Sequence, residues 1–331
     1  GGLADAKDAV EQQLGGAGAR PDDEVGTRYG LGEALSHVNA DLLDAGVPGG
    51  AANGSGTTAP ATTGVAMGPC VSSNPSAVNN VFSTRGGDMI VRGAGTTANA
   101  GSPAIQPGVA FCAGTTMNMG TGRLEVSSQF RAVAAQYPSA LWLSPWFSST
   151  PGNSAVTINS SNSASDAVDI RAWGSQFDYT SFGFGYNNTA GGGMLFELDT
   201  LIDNSAAYFN FNSSGSMRIV PANGTFSSSM EIGSNFILSA ATSLFEVGTP
   251  SNSSNINISS TKQIAGDVVL RGGSVSVSGA LTTTGSGKRI SITADAFTVS
   301  ANISATNSSR LEIAQRTAGR GIVLGAASTS A

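Results

Sequence analysis

The chain has 331 residues, a net charge of −6 and a pI near 4.8, and only 11% of its side chains are charged, against roughly 25% in ordinary globular proteins. Its 16 Lys and Arg are scattered, which excludes the basic patch of a nucleic-acid-binding protein, and no apolar run approaches the ~18 residues of a membrane span. A hydrophobic content of 40% speaks against intrinsic disorder, which combines low hydrophobicity with high net charge.

Residues 1–47 read as a helical cap or assembly segment. They hold acidic and helix-favouring residues such as Asp5, Asp8, Glu11, Gln12 and Gln13. Leu31, Leu35, Val38 and Leu42 recur at helical spacing, after a start signal at Asp22-Asp23-Glu24 and before a stop at Gly46-Val47-Pro48-Gly49-Gly50. Two short helices are expected, near 3–14 and 30–45, and the apolar face of the second is a candidate interface. The one histidine, His37, lies beside Val38 on that helix and reads as a surface or capping residue. The start Gly1-Gly2-Leu3-Ala4-Asp5-Ala6 has no initiator Met and no signal-peptide core, as expected of a processed chain or a fragment.

Residues 48–70, rich in Gly, Ala and Thr without periodicity, read as a linker. Cys70 and Cys112 match no zinc or redox spacing. In an extracellular chain they are a candidate disulfide, and otherwise two buried thiols. Residues 71–150 form an irregular β region, with short apolar strands at Val81-Phe82, Met89–Val91, Val109–Phe111 and Leu124–Val126. The densest apolar stretch, YPSALWLSPWF at 137–147, carries Trp142 and Trp146. Because Pro138 and Pro145 cannot donate to a ladder, it is expected to be a covering flap or an interface patch.

A β-solenoid is expected over residues 151–331. Val268–Leu270, Ile290–Ile292 and Leu311–Ile313 recur 22 and 21 positions apart. Val275–Val277 repeats at Phe297–Val299, and Leu281 at Ile303, both after 22. Less regular candidates lie upstream at Phe209–Phe211, Met230–Ile232, Phe236–Leu238, Leu244–Val247 and Ile256–Ile258. One such unit cannot bury its own apolar face, so successive units stack, and their strands pair in parallel about 4.8 Å apart. Outward positions are expected to be Ser and Thr, because like charges stacked in register repel. A β-sandwich also has short strands but does not repeat in units of this length. The expected fold is therefore all-β, a parallel β-solenoid (β-helix) of roughly 22-residue coils with a short α-helical N-terminal segment.

Within residues 267–326, the runs GDVVLRGGSVSVSGALTTTG, SITADAFTVSANISA and RLEIAQRTAGRGIVLG resemble the repeat region of filamentous-haemagglutinin-like secreted proteins. That resemblance implies a long right-handed β-helix, a fibrous role at the cell surface, and adhesion. The last strand runs into Gly325–Ala331 without a capping helix, which is expected to leave an edge for further repeats or for another subunit.

Candidate chemistry is sparse. The carboxylates Asp166, Asp169, Asp178, Asp199 and Asp203 are the set a polysaccharide-active β-helix enzyme would need, and they read instead as turn caps or solvated edges. There is no phosphate loop, nucleophile elbow, zinc set or calcium nonapeptide, so no cofactor, metal or catalysis is expected. Aromatics at Trp173, Phe177, Tyr179, Phe182, Phe184 and Tyr186 either fill a wide coil or offer a sugar-binding face; the shared parity of Phe182 and Phe184 favours the core. Asn-x-Ser/Thr acceptors, candidate glycosylation sites, occur at Asn53, Asn159, Asn187, Asn212, Asn223, Asn252, Asn257, Asn302 and Asn307. Taken together, the sequence predicts an extracellular structural or adhesive fibre protein, a filament subunit joining other copies of itself and meeting surface carbohydrate or a host receptor. A polysaccharide-active enzyme and a viral or phage fibre are the alternatives.

Overall fold

The computed structural model describes residues 65–67, 80–94, 108–111, 114–129, 141–143, 156–179, 183–203 and 208–319, all within the unit Ala40–Ala331. Among them there is no helix, and every strand pairing is parallel. The two expected helices, His37, the interface residues Leu31, Leu35, Val38 and Leu42, both cysteines, Asn53, Trp146 and Phe182 lie outside the described residues.

Among the described residues the strands form four sheets. The long sheet follows the order β1 (Val65–Met67), β4 (Val109–Phe111), β7 (Leu141–Leu143), β9 (Val168–Tyr179), β11 (Met194–Asp203), β13 (Ser216–Pro221), β16 (Leu244–Val247), β19 (Asp267–Arg271), β22 (Arg289–Thr293) and β25 (Arg310–Ala314). To this path β3 (Met89–Ala94) and β6 (Leu124–Gln129) attach through β9. A six-stranded sheet holds β2 (Asn80–Ser83), β5 (Thr115–Gly120), β8 (Val156–Ser160), β10 (Phe184–Asn188), β12 (Phe209–Asn212) and β15 (Phe236–Leu238). A four-stranded sheet holds β14 (Met230–Ile232), β17 (Ile256–Ile258), β20 (Ser274–Val277) and β23 (Ala296–Val299). The smallest, of three strands, holds β18 (Lys262–Ile264), β21 (Leu281–Thr283) and β24 (Ile303–Ala305).

Alternation along each strand sends every second side chain to one side. In the long sheet this builds two apolar columns that climb in register. One runs Met89, Leu124, Val168, Met194, Met217, Phe245, Val268, Ile290 and Leu311. The other runs Val91, Val126, Ile170, Phe196, Ile219, Val247, Leu270, Ile292 and Ile313. Members from Val91 and Leu124 to Ile292 are buried, and each such side chain stabilises the fold by about 1.5–3 kcal/mol. The six-stranded sheet supplies aromatic columns. The Phe184 and Phe209 rings stack at 5.5 Å, Phe209 and Phe236 at 4.6 Å, and Tyr186 meets Phe211 at 5.5 Å. The aromatic run thus fills the core at Phe184 and Tyr186, both fully buried.

The repeat landmarks of the C-terminal part are direct cross-strand partners. Val268 faces Ile290, which faces Leu311; Val275 faces Phe297; and Leu281 faces Ile303. Upstream the period is longer and uneven: Val156 pairs with Phe184, 28 positions on, and Phe184 with Phe209, 25 positions on. The difference lies in the turns. Residues 222–229 and 248–255 connect the long sheet to β14 and β17, whereas Gly272-Gly273 and Ala294-Asp295 suffice before β20 and β23.

The described strands cut across the expected divisions of the chain. The segment 48–70, read as a linker, contains β1, whose Val65–Met67 pair with Val109–Phe111. Of the segment 137–147, read as a covering flap or an interface patch, residues 141–143 form β7 inside the long sheet between β4 and β9, with Trp142 opposite Ala110 and Asp178. Pro138 and Pro145 lie outside the described residues. Strands of the irregular β region share sheets with those of the expected solenoid, since β5 pairs with β8 and β6 with β9.

Candidate functional site

The side chains with chemistry to offer sit on the outer faces of the sheets, and the two main faces differ. On the long sheet, outward positions carry charge. Asp169, fully buried at the base of this cluster, receives Arg123 at 2.8 Å and Arg171 at 2.7 Å. Arg123 also bridges to Asp166 at 2.7 Å, and Arg171 reaches Glu197 at 3.5 Å. Further along, Glu246 is held between Arg218, at 2.7 Å, and Arg271. Glu312 is paired with Arg310 at 2.7 Å and lies 3.8 Å from Arg289. Charge here joins the expected Ser and Thr on outward positions, where Ser127, Ser291 and Thr293 also stand. Like charges face each other directly at Glu125 and Asp169 and at Arg289 and Arg310, and the arginines of the ion pairs offset this repulsion. The hydrogen bond and charge of Asp169 raise the Arg171 pKa. Glu197 is pushed up by burial, partly offset by Arg171.

The expected carboxylates are thereby placed. Asp166 and Asp169 come together, but on a shared arginine, Arg123. Asp169 lies within a strand and is buried, contrary to its reading as a turn cap or solvated edge. Asp199 is buried on β11 where the register against β9 shifts, and its Oδ1 accepts from Asn223 Nδ2 at 3.1 Å. Asp178 and Asp203 belong to adjoining strands, with Asp178 opposite Ile202 and Asp203 opposite Tyr179. Trp173, Phe177 and Tyr179 lie on β9. Among the described residues no group of His, Cys, Asp and Glu could hold a metal ion, and no helix is long and apolar enough to cross a membrane.

The six-stranded sheet presents an uncharged outer face. Asn118, Asn159, Asn187 and Asn212 are successive partners across β5, β8, β10 and β12. Each amide donates to the one before it: Asn159 Nδ2 to Asn118 Oδ1 at 2.9 Å, Asn187 to Asn159 at 3.2 Å, and Asn212 to Asn187 at 3.2 Å. Beside this ladder, Thr116, Thr157, Gly185, Asn210 and Ile237 form a second outward column. Three candidate glycosylation sites, Asn159, Asn187 and Asn212, are therefore ladder members. A fourth, Asn252, is corrected outright. It is fully buried; its Nδ2 donates to Arg271 O at 2.8 Å, and its Oδ1 accepts from Ser254 N and Phe226 N, both at 3.2 Å. Asn223 and Asn307 hydrogen-bond to Asp199 and to Thr284 O, Asn257 lies on β17, and Asn302 is exposed.

Lys262, which the sequence did not single out, and the Tyr186 hydroxyl are both buried and hydrogen-bonded. Lys262 opens β18 with its side chain inward and 5% exposed. Its ammonium donates to Gly233 O and Ser260 Oγ, each at 2.8 Å, and to Phe236 O, so three protons meet three acceptors. Tyr186 donates to Gly192 O at 3.3 Å and accepts from Asn188 Nδ2 at 2.8 Å. Burial pushes its phenol up to about 12 against the downward pull of its hydrogen bonds to Asn188 and Ser160. Comparisons with protein-family models, with curated proteins and with solved structures gave no match.

Proposed function

We propose that the parallel sheets are the walls of a β-solenoid, and that the chain is an extracellular structural or adhesive fibre component acting through shape, surface and association with further copies of itself. The observation that carries this reading is the cyclic order of the strands. The chain visits the long, four-stranded and three-stranded sheets in turn, as β19, β20 and β21, then β22, β23 and β24, before returning at β25. Each visit stacks on its predecessor in register, which is the arrangement of a coil. The likeness of residues 267–326 to filamentous-haemagglutinin-like repeats agrees with it. A polysaccharide-active enzyme would need carboxylates free for proton transfer, and Asp166 and Asp169 instead share Arg123.

Association is supported by the last described strands. Val299 and Leu311 are 45% and 44% exposed, while their partners one strand earlier, Val277 and Ile290, are fully buried. A further strand layer would cover them, whether from chain beyond residue 319 or from a second copy, and head-to-tail addition of copies builds an open filament. The test is negative-stain imaging and sedimentation of the full chain across a concentration series. Filaments or concentration-dependent oligomers are expected. Monomers at every concentration would remove the filament from the proposal.

A further inference from the structure

Beyond its amide ladder, the outer face of the six-stranded sheet has one feature built for contact. Tyr208, just before β12, is 44% exposed, and its carbonyl accepts from Phe184 N at 2.8 Å, which places it beside Gly183. A Cβ built on Gly183 would lie 2.5, 2.6 and 2.7 Å from the Cζ, Cε1 and Cε2 atoms of the Tyr208 ring. The ring therefore lies over Gly183, while the residue keeps 44% of its surface exposed. Gly183 also has φ +87°, a conformation that side chains rarely adopt, so two independent constraints keep the seat of this ring empty.

The surroundings of the ring restrict what it can meet. Outward positions of the six-stranded sheet include Val81, Thr116, Asn118, Thr157, Asn159, Gly185, Asn187, Asn210, Asn212 and Ile237, none of them charged. The arginines and carboxylates of the described ion pairs lie elsewhere. Within the ladder, Asn159 and Asn187 each donate once and accept once, which leaves a second amide proton and a second lone pair on each. Along the strand, Tyr208 is followed by Asn210 and Asn212 on the same side at intervals of about 6.6 Å. Across the strands the amides repeat every ~4.8 Å.

We propose that this face binds a neutral glycan, with a sugar ring stacked on Tyr208 and neighbouring hydroxyls hydrogen-bonded to the amides of Asn187, Asn210 and Asn212. Sugar rings present C–H groups on one face, which suit the electron-rich face of an aromatic ring, and hydroxyls at their rim, which suit side-chain amides that both donate and accept. An anionic ligand would find no counter-charge here, and a protein partner would need a larger apolar centre than Tyr208 and Ile237 supply. The inference rests on the adhesive half of the proposed function and not on the filament half.

The test is affinity electrophoresis of the full chain in gels carrying cellulose derivatives without charge, mannan, galactan or glycol chitin, with heparin as the anionic comparison. Retardation by at least one neutral polysaccharide is expected, unchanged in about 1 M salt, where the Debye length is about 3 Å. Tyr208→Ala is expected to weaken it about tenfold or more, the equivalent of 1.4 kcal/mol, and Tyr208→Trp to preserve it. Should Tyr208→Ala melt early, Tyr208→Leu keeps an apolar cover over Gly183 without a flat ring, and the same loss is expected. No retardation by any neutral polysaccharide, retardation indifferent to Tyr208, or retardation by heparin alone that salt abolishes would each overturn the proposal. Imaging reports on filament formation separately, so the two ideas fail independently.

Discussion

The region from β8 to β16 and the region from β19 to β25 share one architecture but fill it differently. In the first, Phe184, Phe209, Phe236, Phe196 and Phe245 pack ring against ring, and turns as long as residues 222–229 loop out between strands. In the second, Val268, Val275, Leu281, Ile290 and Ile292 do the same work with smaller side chains, and two-residue turns follow β19 and β22. Core identity is thus exchangeable so long as parity and register are kept. Turn length is what makes a repeat visible.

The largest effect that would test this comparison comes from the aromatic stack. Phe209 contacts three rings, so Phe209→Ala is expected to cost about 4 kcal/mol, and Ile290→Ala about 3 kcal/mol. Urea midpoints measure both. Equal or inverted losses would mean that the aromatic stack adds nothing beyond its area. Next comes the boundary between the regions, where Lys262 takes the inward position beyond Phe236. Lys262→Met strips a donor from Gly233 O, Phe236 O and Ser260 Oγ, and is expected to cost about 3 kcal/mol. A neutral or stabilising result would show that the buried ammonium serves no structural need.

The smallest effect is a dependence on alkaline pH. The Tyr186 phenol is raised in the folded chain from 10.0 to about 12. Its contribution is therefore complete below pH ~10 and is lost as pH climbs toward ~12, an effect of about 2 kcal/mol. Denaturant midpoints followed from pH ~9 to ~12 are expected to fall in the parent and to fall less in Tyr186→Phe. Parallel curves would show that the phenol is not held neutral by burial.

How much of this was legible depended on spacing. Val268, Ile290 and Leu311 announce themselves because Gly272-Gly273 and Ala294-Asp295 keep the interval nearly constant. The asparagine ladder did not, since Asn118, Asn159, Asn187 and Asn212 are separated by unequal loops and become neighbours only once β5, β8, β10 and β12 are in register. Trp142 misled because two prolines so near a strand suggest a break, when a strand of three residues fits between them. Asp169 and Arg171 look like surface residues in sequence. Only the paired strands show that Arg123, 46 positions before Asp169, closes their cluster.

The cross-strand ion pairs of the long sheet have a consequence for how the strands find one another. A stack of identical layers would tolerate any shift by one layer, because every layer is the same to its neighbours. Here Glu246 on β16 is held by Arg218 on β13 and by Arg271 on β19, and Arg171 on β9 reaches Glu197 on β11. A layer inserted, skipped or exchanged separates these partners and forfeits the cross-strand attraction. The sheet thus carries marks of which strands belong side by side, and the order of assembly is favoured by attraction as well as by fit.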